Sequence, residues 1–234
     1  METVMPNEKK SIELKTSLKQ FKINLERYLE NSQSEFSRYR SWEHCYAQFQ
    51  IAYVSKNVDR DTLCLWLAWY LASWGMMHNS KLLDYNYKIH RTIVDIILDI
   101  DRADYKVLNN LKCQDWLDDK ECCQKKLNDL YHNIRDNYEK LDISGTDTLV
   151  TKVLLGTLGC TPAFDSLFKE GISGSDSWHR RIFPSDYITA LCDFYVKQKN
   201  EINEYDLFFT SLNGKRMPYP QMKVLDMGFW KTKK

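Results

Sequence analysis

The chain has 234 residues, of which 43% are hydrophobic and 28% are charged, and its formal net charge is +1. These values are typical of a globular protein, and a charge so close to zero argues against a pure phosphate binder, so any contact with nucleic acid must come from a local basic patch. A chain of this length can bury roughly 70% of the surface that its unfolded form exposes, so it needs neither a disulfide nor a metal to fold.

The cysteines and the most apolar segment of the chain narrow the class of protein further. The seven cysteines follow no disulfide framework, and Cys113, Cys122 and Cys123 lack the paired spacing of a zinc site. We therefore expect that the protein binds no metal and no cofactor. We also expect its cysteines to be reduced thiols, which indicates a location in the cytoplasm. The uncharged run 63–77 is only fifteen residues long, which is short for a membrane span and suits a buried helix. Residues 1–10 form a polar tail without the apolar core of a signal peptide.

Apolar residues recur at helical spacing along most of the chain, which predicts an all-α protein with a single compact domain over residues 1–234. The pattern predicts helices, in chain order, over residues 11–30, 34–56, 62–77, 80–101, 104–111, 118–140, 146–158, 163–169, 184–198 and 220–230. The helix at 62–77 is apolar on all sides and should lie centrally. No strand is predicted. Residues 171–177 and 212–220 have the glycine content and turn residues of loops.

The most informative segment is 143–168, which lies within the central helices at 62–175. It begins with a turn at Gly145, continues as an apolar helix that carries Lys152, and passes through a short loop that ends in proline. Asp165 then opens the next helix. A carboxylate at a helix N-terminus stays ionised, because the free amides and the helix dipole favour negative charge.

This order of elements resembles the helix–hairpin–helix DNA glycosylase superfamily, in which a glycine-rich hairpin, a helix and a small loop deliver a catalytic aspartate. The resemblance implies two interlocked helical lobes with a cleft between them, and it assigns the catalytic position to Asp165. The hairpin here has one glycine, Gly145, and Leu149 stands where bifunctional members carry a lysine nucleophile. Lys152 lies one helical turn further on the same face. Asp165 therefore acts with water alone, or Lys152 has taken a shifted role.

The resemblance implies a monofunctional enzyme that flips a damaged or modified base out of double-stranded DNA and hydrolyses its N-glycosidic bond. A carboxylate near the anomeric carbon would stabilise the oxocarbenium-like transition state. In bacteria, one context for such an enzyme is defence against phages whose DNA carries a bulky base such as glucosylated hydroxymethylcytosine. We expect a monomer that binds DNA and uses no small-molecule cofactor.

The remaining candidate residues would line the base pocket or contact DNA. Trp74, His78 and Asn79 lie where an apolar helix opens into a loop, and they are candidates for the pocket walls. The candidate DNA contacts, which lie in or beside glycine-containing turns, are Gly145, Thr146, Arg180, Arg181, Lys215, Arg216 and Tyr219. Tyr219 or Met217 would fill the space that a flipped base leaves. Asp226 in the last helix is a secondary candidate carboxylate.

A second interpretation is a non-catalytic helical subunit that binds protein or DNA within a larger bacterial assembly. In that case Asp165 only caps a helix, which is the ordinary role of an aspartate at such a position. The surroundings of Asp165 distinguish the two interpretations. A position at the floor of a basic cleft favours the enzyme. Burial among apolar side chains, or exposure to open solvent far from Lys152, Arg180 and Arg181, favours the binding subunit.

Overall fold

The computed structural model describes residues 12–55, 58–99, 105–174 and 184–231, and within these ranges the protein is mostly helical, as the sequence predicts. The helices of the first part are α1 (Leu18–Asn31), α2 (Arg40–Val54), α3 (Arg60–Ser73), α4 (Arg91–Leu98), α5 (Cys113–Asp118) and α6 (Lys120–Glu139). The helices that follow are α7 (Asp147–Thr157), α8 (Ser166–Ser173), α9 (Pro184–Lys197), α10 (Lys199–Ile202) and α11 (Gln221–Phe229).

Local hydrogen bonds explain why two predicted helices are shorter or divided. The single helix expected at 80–101 begins instead as two 3-10 turns, because the Asn86 side chain accepts from the Lys88 N–H and restarts the chain before α4. The helix expected at 118–140 is observed as α6 and begins two residues later, at Lys120, because the Asp119 carboxylate accepts from the Cys122 N–H. A side chain that satisfies the free amides of a new helix favours a start at that point.

A small antiparallel hairpin lies partly in the predicted loop at 212–220 and partly in the segment before it, for which the sequence predicted no element. Strand β1 (Phe208–Thr210) pairs with β2 (Arg216–Pro218), with Phe209 opposite Met217. Each strand has only three residues, which is too short for an alternating pattern to be recognised in the sequence. The prediction that the chain has no strand was therefore wrong.

The helices pack in two groups. In the first group contacts link α2, α3, α4, α6 and α7, and in the second group α1, α8 and α9 contact α11, with α5 packed on α9. Helix α6 also contacts α5 and α9, so the two groups are joined there. Helix α7 is buried at every position from Leu149 to Thr157, and α11 is buried from Met222 to Phe229. These two helices therefore form the centre of their groups, and both carry charged side chains into the interior.

Helix α3 departs from the expectation that it lies centrally. Leu67 and Leu71 belong to the core, but Leu65 and Trp69 on the opposite side are 54% and 59% exposed. The apolar helix is therefore buried along one side only. No helix in the described ranges is long and apolar enough to cross a membrane.

We expect Gly228→Ala to lower the free energy of unfolding by about 1–3 kcal/mol, because the added methyl group would overpack a filled core. A Cβ atom on Gly228 would lie 2.1–2.3 Å from three ring atoms of the fully buried Phe21, where α1 crosses α11. Urea denaturation measures the change. The double variant Gly228→Ala with Phe21→Leu should recover part of the loss. Equal stability of Gly228→Ala and the parent chain would contradict this close approach.

Candidate functional site

The loop between α7 and α8 is held in place by hydrogen bonds to α7. Helix α7 ends at Thr157, and Gly159, two residues later, has a φ of +63°, a conformation that glycine adopts without strain. The Phe164 N–H then donates to Thr151 Oγ1 at 2.9 Å, and Thr148 Oγ1 donates to the Phe164 carbonyl at 3.1 Å. Asp165, the next residue, is therefore fixed relative to α7.

Asp165 has partners on both carboxylate oxygens. Its Oδ1 accepts from the Phe168 N–H at 3.0 Å, which makes Asp165 the N-cap of α8. Its Oδ2 accepts from Lys152 Nζ, also at 3.0 Å. The side chains of Lys152 and Asp165 are 4% and 19% exposed, so the pair is nearly enclosed with its carboxylate on the more open side. The structure thus brings the two candidate catalytic residues into direct contact.

A second lysine–aspartate pair lies on α11. Lys223 Nζ is 2.7 Å from Asp226 Oδ2, and the two side chains are 2% and 9% exposed. The other oxygen of Asp226, Oδ1, accepts from the Ala163 N–H at 3.0 Å. Asp226 therefore ties α11 to the loop that carries Asp165, and it neutralises Lys223 at the same time.

Aromatic rings surround both ammonium groups. Lys152 Nζ and Lys223 Nζ lie 5.3 Å and 5.6 Å from the centroid of the Trp74 ring. Lys223 Nζ also lies 4.4 Å from the centroid of Tyr28 and 5.1 Å from that of Trp42. A cation over the face of an aromatic ring is stabilised by the ring quadrupole. These rings thus help to keep two positive charges away from water.

The two pairs enclose a cavity of about 10 Å³, which we call the lysine–aspartate cavity. Its walls combine charged and aromatic side chains: Tyr28, Tyr70, Trp74, Lys152, Leu155, Ala163, Asp165, Lys223, Asp226 and Trp230. These residues come from α1, from α3 and its C-cap, from α7 and its following loop, and from α11 and its C-cap. The cavity therefore lies where the two groups of helices meet. Its volume is about that needed by one water molecule.

Burial shifts the protonation equilibria of two groups in the walls. The pKa of Lys223 is lowered below its ordinary value of 10.5, chiefly because burial penalises the ammonium form, and the charge of Asp226 opposes that shift. The pKa of Tyr28 is raised well above its ordinary value of 10.0, again chiefly by burial. The Tyr28 phenol therefore keeps its proton and can donate a hydrogen bond.

Of the three predicted pocket residues, only Trp74 lines this cavity. His78 and Asn79 are exposed on the turn that follows α3. Gly75, with a φ of +79°, redirects the chain directly after Trp74 and leads the next residues to the surface. The prediction that His78 and Asn79 form pocket walls therefore does not hold for this cavity.

The turn before α7 makes structural contacts. Gly145 is buried, and a Cβ atom there would lie 2.7 Å from Cγ of Arg135 on α6. The Thr146 hydroxyl accepts from the Leu149 N–H and caps α7, and the carboxylate of Asp147 occupies the first turn. A glycine that allows close helix packing, followed by a carboxylate, does not favour the phosphate contact predicted for Gly145 and Thr146.

Tyr219 cannot fill the space left by a flipped base. It is buried, and its hydroxyl donates to Oε1 of the buried Glu43. Arg40 lies 3.3 Å from the other oxygen of Glu43, although burial still raises the pKa of Glu43 above its ordinary value. Tyr219 is thus a core residue that pairs with a buried acid, and the prediction that it contacts DNA was wrong for the observed fold.

The basic candidates fall into two sets. Lys215 and Arg216 are exposed at the β1–β2 hairpin, where Arg216 pairs with Asp206 at 2.5 Å. Arg216 borders a separate polar pocket of about 420 Å³ and not the lysine–aspartate cavity. Arg180 and Arg181 lie outside the residues that the structure describes.

The sequence interpretation missed Lys223 and ranked Asp226 second. The signal was present: a lysine and an aspartate three residues apart face the same side of a helix that is otherwise apolar. Lys152 stands out in the same way within α7. Within the described parts of the chain, no group of three or more histidine, cysteine, aspartate or glutamate side chains could hold a metal ion.

We expect Asp226→Leu to cost about 3–5 kcal/mol of unfolding free energy, because it leaves the Lys223 ammonium buried without a partner. The double variant Asp226→Leu with Lys223→Met should recover the part of this cost that comes from the unpaired ammonium, and about 1–3 kcal/mol should remain because the buried Ala163 N–H has lost its acceptor. Guanidinium denaturation measures both values. The control Asp206→Asn removes the partner of the exposed Arg216 and should cost at most about 1 kcal/mol. If Asp226→Leu proved at least as stable as the double variant, the conclusion that Lys223 and Asp226 form a buried ion pair would be contradicted.

We also expect Lys223 to make the free energy of unfolding less sensitive to alkaline pH. The buried thiol of Cys45 and the buried phenol of Tyr28 have raised pKa values, so the unfolded chain loses these protons first and stability falls as pH rises. Lys223 opposes this fall, because its pKa in the fold lies below 10.5 and the unfolded state binds its proton more tightly. Urea denaturation between about pH 8 and pH 10 measures the slope. The double variant that lacks Lys223 and Asp226 should lose stability more steeply as pH rises, and an identical slope would contradict the assignment.

Comparison with known proteins identifies no relative of this chain. No protein-family model matches the chain. No curated protein and no solved structure matches it either. The case for a function therefore depends on the geometry and chemistry of the lysine–aspartate cavity.

Proposed function

We propose that the protein is a DNA glycosylase that flips a damaged or modified base out of double-stranded DNA and hydrolyses its N-glycosidic bond with Asp165. One observation carries the proposal. The Asp165 carboxylate is held at the N-terminus of α8, 3.0 Å from a buried lysine ammonium, in the wall of an aromatic-lined cavity. A fixed carboxylate beside aromatic surfaces is what cleavage of a flipped nucleoside requires.

The carboxylate acts through its charge. As the bond between base and sugar breaks, positive charge develops on the sugar ring, and a preorganised carboxylate stabilises it without moving. Both oxygens of Asp165 already accept hydrogen bonds, from Phe168 and from Lys152. Its side chain is also the more exposed member of its pair, so Asp165 can meet a sugar and an attacking water from the open side.

Lys152 acts as a positioning residue. Its ammonium donates to Asp165 Oδ2 and is enclosed on its other sides by buried neighbours on α7 and by the Trp74 ring. An ammonium group that is engaged with a carboxylate has no lone pair for attack on the sugar. Hydrolysis by water is therefore favoured over a covalent lysine intermediate, which agrees with a monofunctional enzyme.

The packing supports a two-lobed enzyme with a cleft at the cavity. The cavity lies between the two groups of helices, but a flipped base is many times larger than its volume of about 10 Å³. Trp74 and Trp230 are only partly buried, and their ring centroids lie 5.9 Å apart. These two side chains would have to separate to admit a base to the cavity. A cavity of this size offers no argument for a bulky base such as glucosylated hydroxymethylcytosine, so the proposal leaves the modification open.

Asp165→Asn should reduce base release by at least about a hundredfold while DNA binding is retained, because the carboxylate charge is the group that stabilises the transition state. Asparagine caps a helix as well as aspartate does, so α8 should stay intact. The matched control is Asp147→Asn, which changes another aspartate at a helix start with a lysine partner, Lys169, at 3.6 Å. Abasic-site formation is measured on duplexes that carry different modified bases. Undiminished release by Asp165→Asn would end the proposal.

Trapping with borohydride separates the two chemical routes. A lysine nucleophile forms an imine with the sugar, which borohydride reduces to a stable protein–DNA adduct. We expect abasic sites without an adduct. An adduct that disappears in Lys152→Met would replace the hydrolytic route with a covalent one.

A second candidate function, a non-catalytic interaction subunit, is favoured by one observation. An apolar groove of about 280 Å³ runs beside α3, and its walls include the exposed side chains of Leu65, Trp69, Leu83 and Tyr85. Exposed apolar patches of this kind often mark protein contacts. If no duplex is cleaved, and Leu65→Glu changes the sedimentation of the protein whereas Asp165→Asn does not, this second function is preferred.

A further inference from the structure

The exposed apolar side chains of the protein are concentrated at the groove beside α3. Ten large hydrophobic side chains are exposed in the described residues, and four of them line this groove. They are Leu65 and Trp69 on α3, and Leu83 and Tyr85 in the segment that follows it. We call these four residues and the groove between them the α3 face. A monomeric protein seldom exposes a large contiguous apolar patch, so the α3 face calls for an occupant.

The groove is too open to hold a small molecule. The side chains of Leu65, Trp69 and Leu83 in its walls are themselves more than half exposed. A small-molecule site, in contrast, covers most of the surface of its ligand. The occupant is therefore the surface of a macromolecule.

The charged residues that border the α3 face are paired within the chain. Lys81 pairs with Asp142, and Lys88 and Arg91 both pair with Asp61. Cations and carboxylates thus largely compensate each other, and no uniform charge is left to attract nucleic acid or an anionic membrane. An apolar protein surface with little net charge is the complementary partner.

The exposed side of α3 is complementary to a copy of itself. Residues 65, 68, 69 and 72 lie on one side of the helix, with large side chains at Leu65 and Trp69 and small ones at Ala68 and Ala72. Suppose that two copies of α3 run antiparallel about a two-fold axis midway between residues 68 and 69. Leu65 of each copy then faces Ala72 of the other, and Trp69 faces Ala68. A large side chain opposite a small one at every position allows close packing.

The α3 face is also large enough for a stable dimer. The exposed parts of its four large side chains provide roughly 400 Å² of apolar surface, if a large side chain presents about 150–250 Å² in all. A homodimer interface of standard size buries about 800 Å² on each copy, of which about 65% is apolar. Ala72 and the floor of the groove add to the four side chains, so the two areas are comparable.

We infer that a second copy of this chain covers the α3 face, so that the protein is a two-fold symmetric dimer in place of the monomer expected from the sequence. A two-fold axis brings the same surface of both copies together. The exposed side chains of Leu65 and Trp69 in one copy therefore enter the groove of the other. This inference goes beyond the proposed function and does not depend on it.

Sedimentation equilibrium of the full chain measures the association. We expect the parent chain to have twice the mass of a single chain at tens of micromolar. Leu65→Glu should weaken the dimer at least about a hundredfold, because two-fold symmetry buries the new carboxylate twice in an apolar interface. Leu65 is 54% exposed within one chain, so the variant should fold and keep its helical circular dichroism.

A mixture of two variants tests the antiparallel arrangement. Leu65→Glu and Ala72→Lys should each be monomeric when alone. Mixed in equal amounts, they should associate at least about tenfold more tightly than either does alone, because the new carboxylate of one chain faces the new ammonium of the other. A mixture that associates as weakly as the separate variants would overturn the inference.

The matched control is Leu212→Glu. Leu212 is also 54% exposed, but it lies in the β1–β2 hairpin and not in the groove. Leu212→Glu should leave the dimer intact, and an equal weakening by both glutamates would overturn the inference. A parent chain that stays monomeric at about 100 µM would also overturn it. If that monomer bound phospholipid vesicles and Leu65→Glu did not, the occupant would be a membrane surface instead.

The outcomes separate this inference from the proposed function. The groove and the lysine–aspartate cavity share no wall residue, so Asp165→Asn should remain a dimer. A dimer that cleaves no duplex supports the inference and refutes the glycosylase. A monomer that cleaves a duplex supports the glycosylase and overturns the inference.

Discussion

The carboxylate of Asp226 is the contact on which the rest of the site depends. One oxygen accepts from Lys223 within its own helix, and the other accepts from the backbone of Ala163, two residues before Asp165. A buried ammonium is tolerated only with a partner, and a buried backbone N–H needs an acceptor. One side chain meets both needs, and it joins α11 to the loop after α7.

The second buried pair, Lys152 with Asp165, faces the first across a cavity walled by aromatic rings. Buried ion pairs seldom add stability compared with well-packed apolar residues. Two such pairs side by side at one cavity agree with the proposed active site, in addition to the link that Asp226 makes between α11 and the loop after α7.

Much of the helical architecture could be predicted from apolar spacing, since α1, α2, α6, α7, α9 and α11 overlap the predicted segments. Asp165 could be placed at a helix start because short carboxylates cap helices. The β1–β2 hairpin could not, because three-residue strands carry too little pattern. The exposed positions of His78 and Asn79 follow from one glycine turn, and the burial of Tyr219 follows from a long-range partner, Glu43. Such contacts join residues far apart in sequence, and no local pattern contains them.

The crossing of α1 and α11 has a consequence for how the protein folds. The Asn24 side chain donates to the Gly228 carbonyl across 204 positions of sequence, and Ala163 reaches Asp226 across 63. Closing such large loops costs chain entropy before any contact repays it, so these contacts form late. The bond from Trp42 to the Leu155 carbonyl, within the first group of helices, spans 113 positions and closes a shorter loop than the crossing of α1 and α11 does. The wall of the cavity that α11 supplies therefore depends on the larger loop closure, and Lys223 and Asp226 become buried only when α11 packs against the rest of the chain.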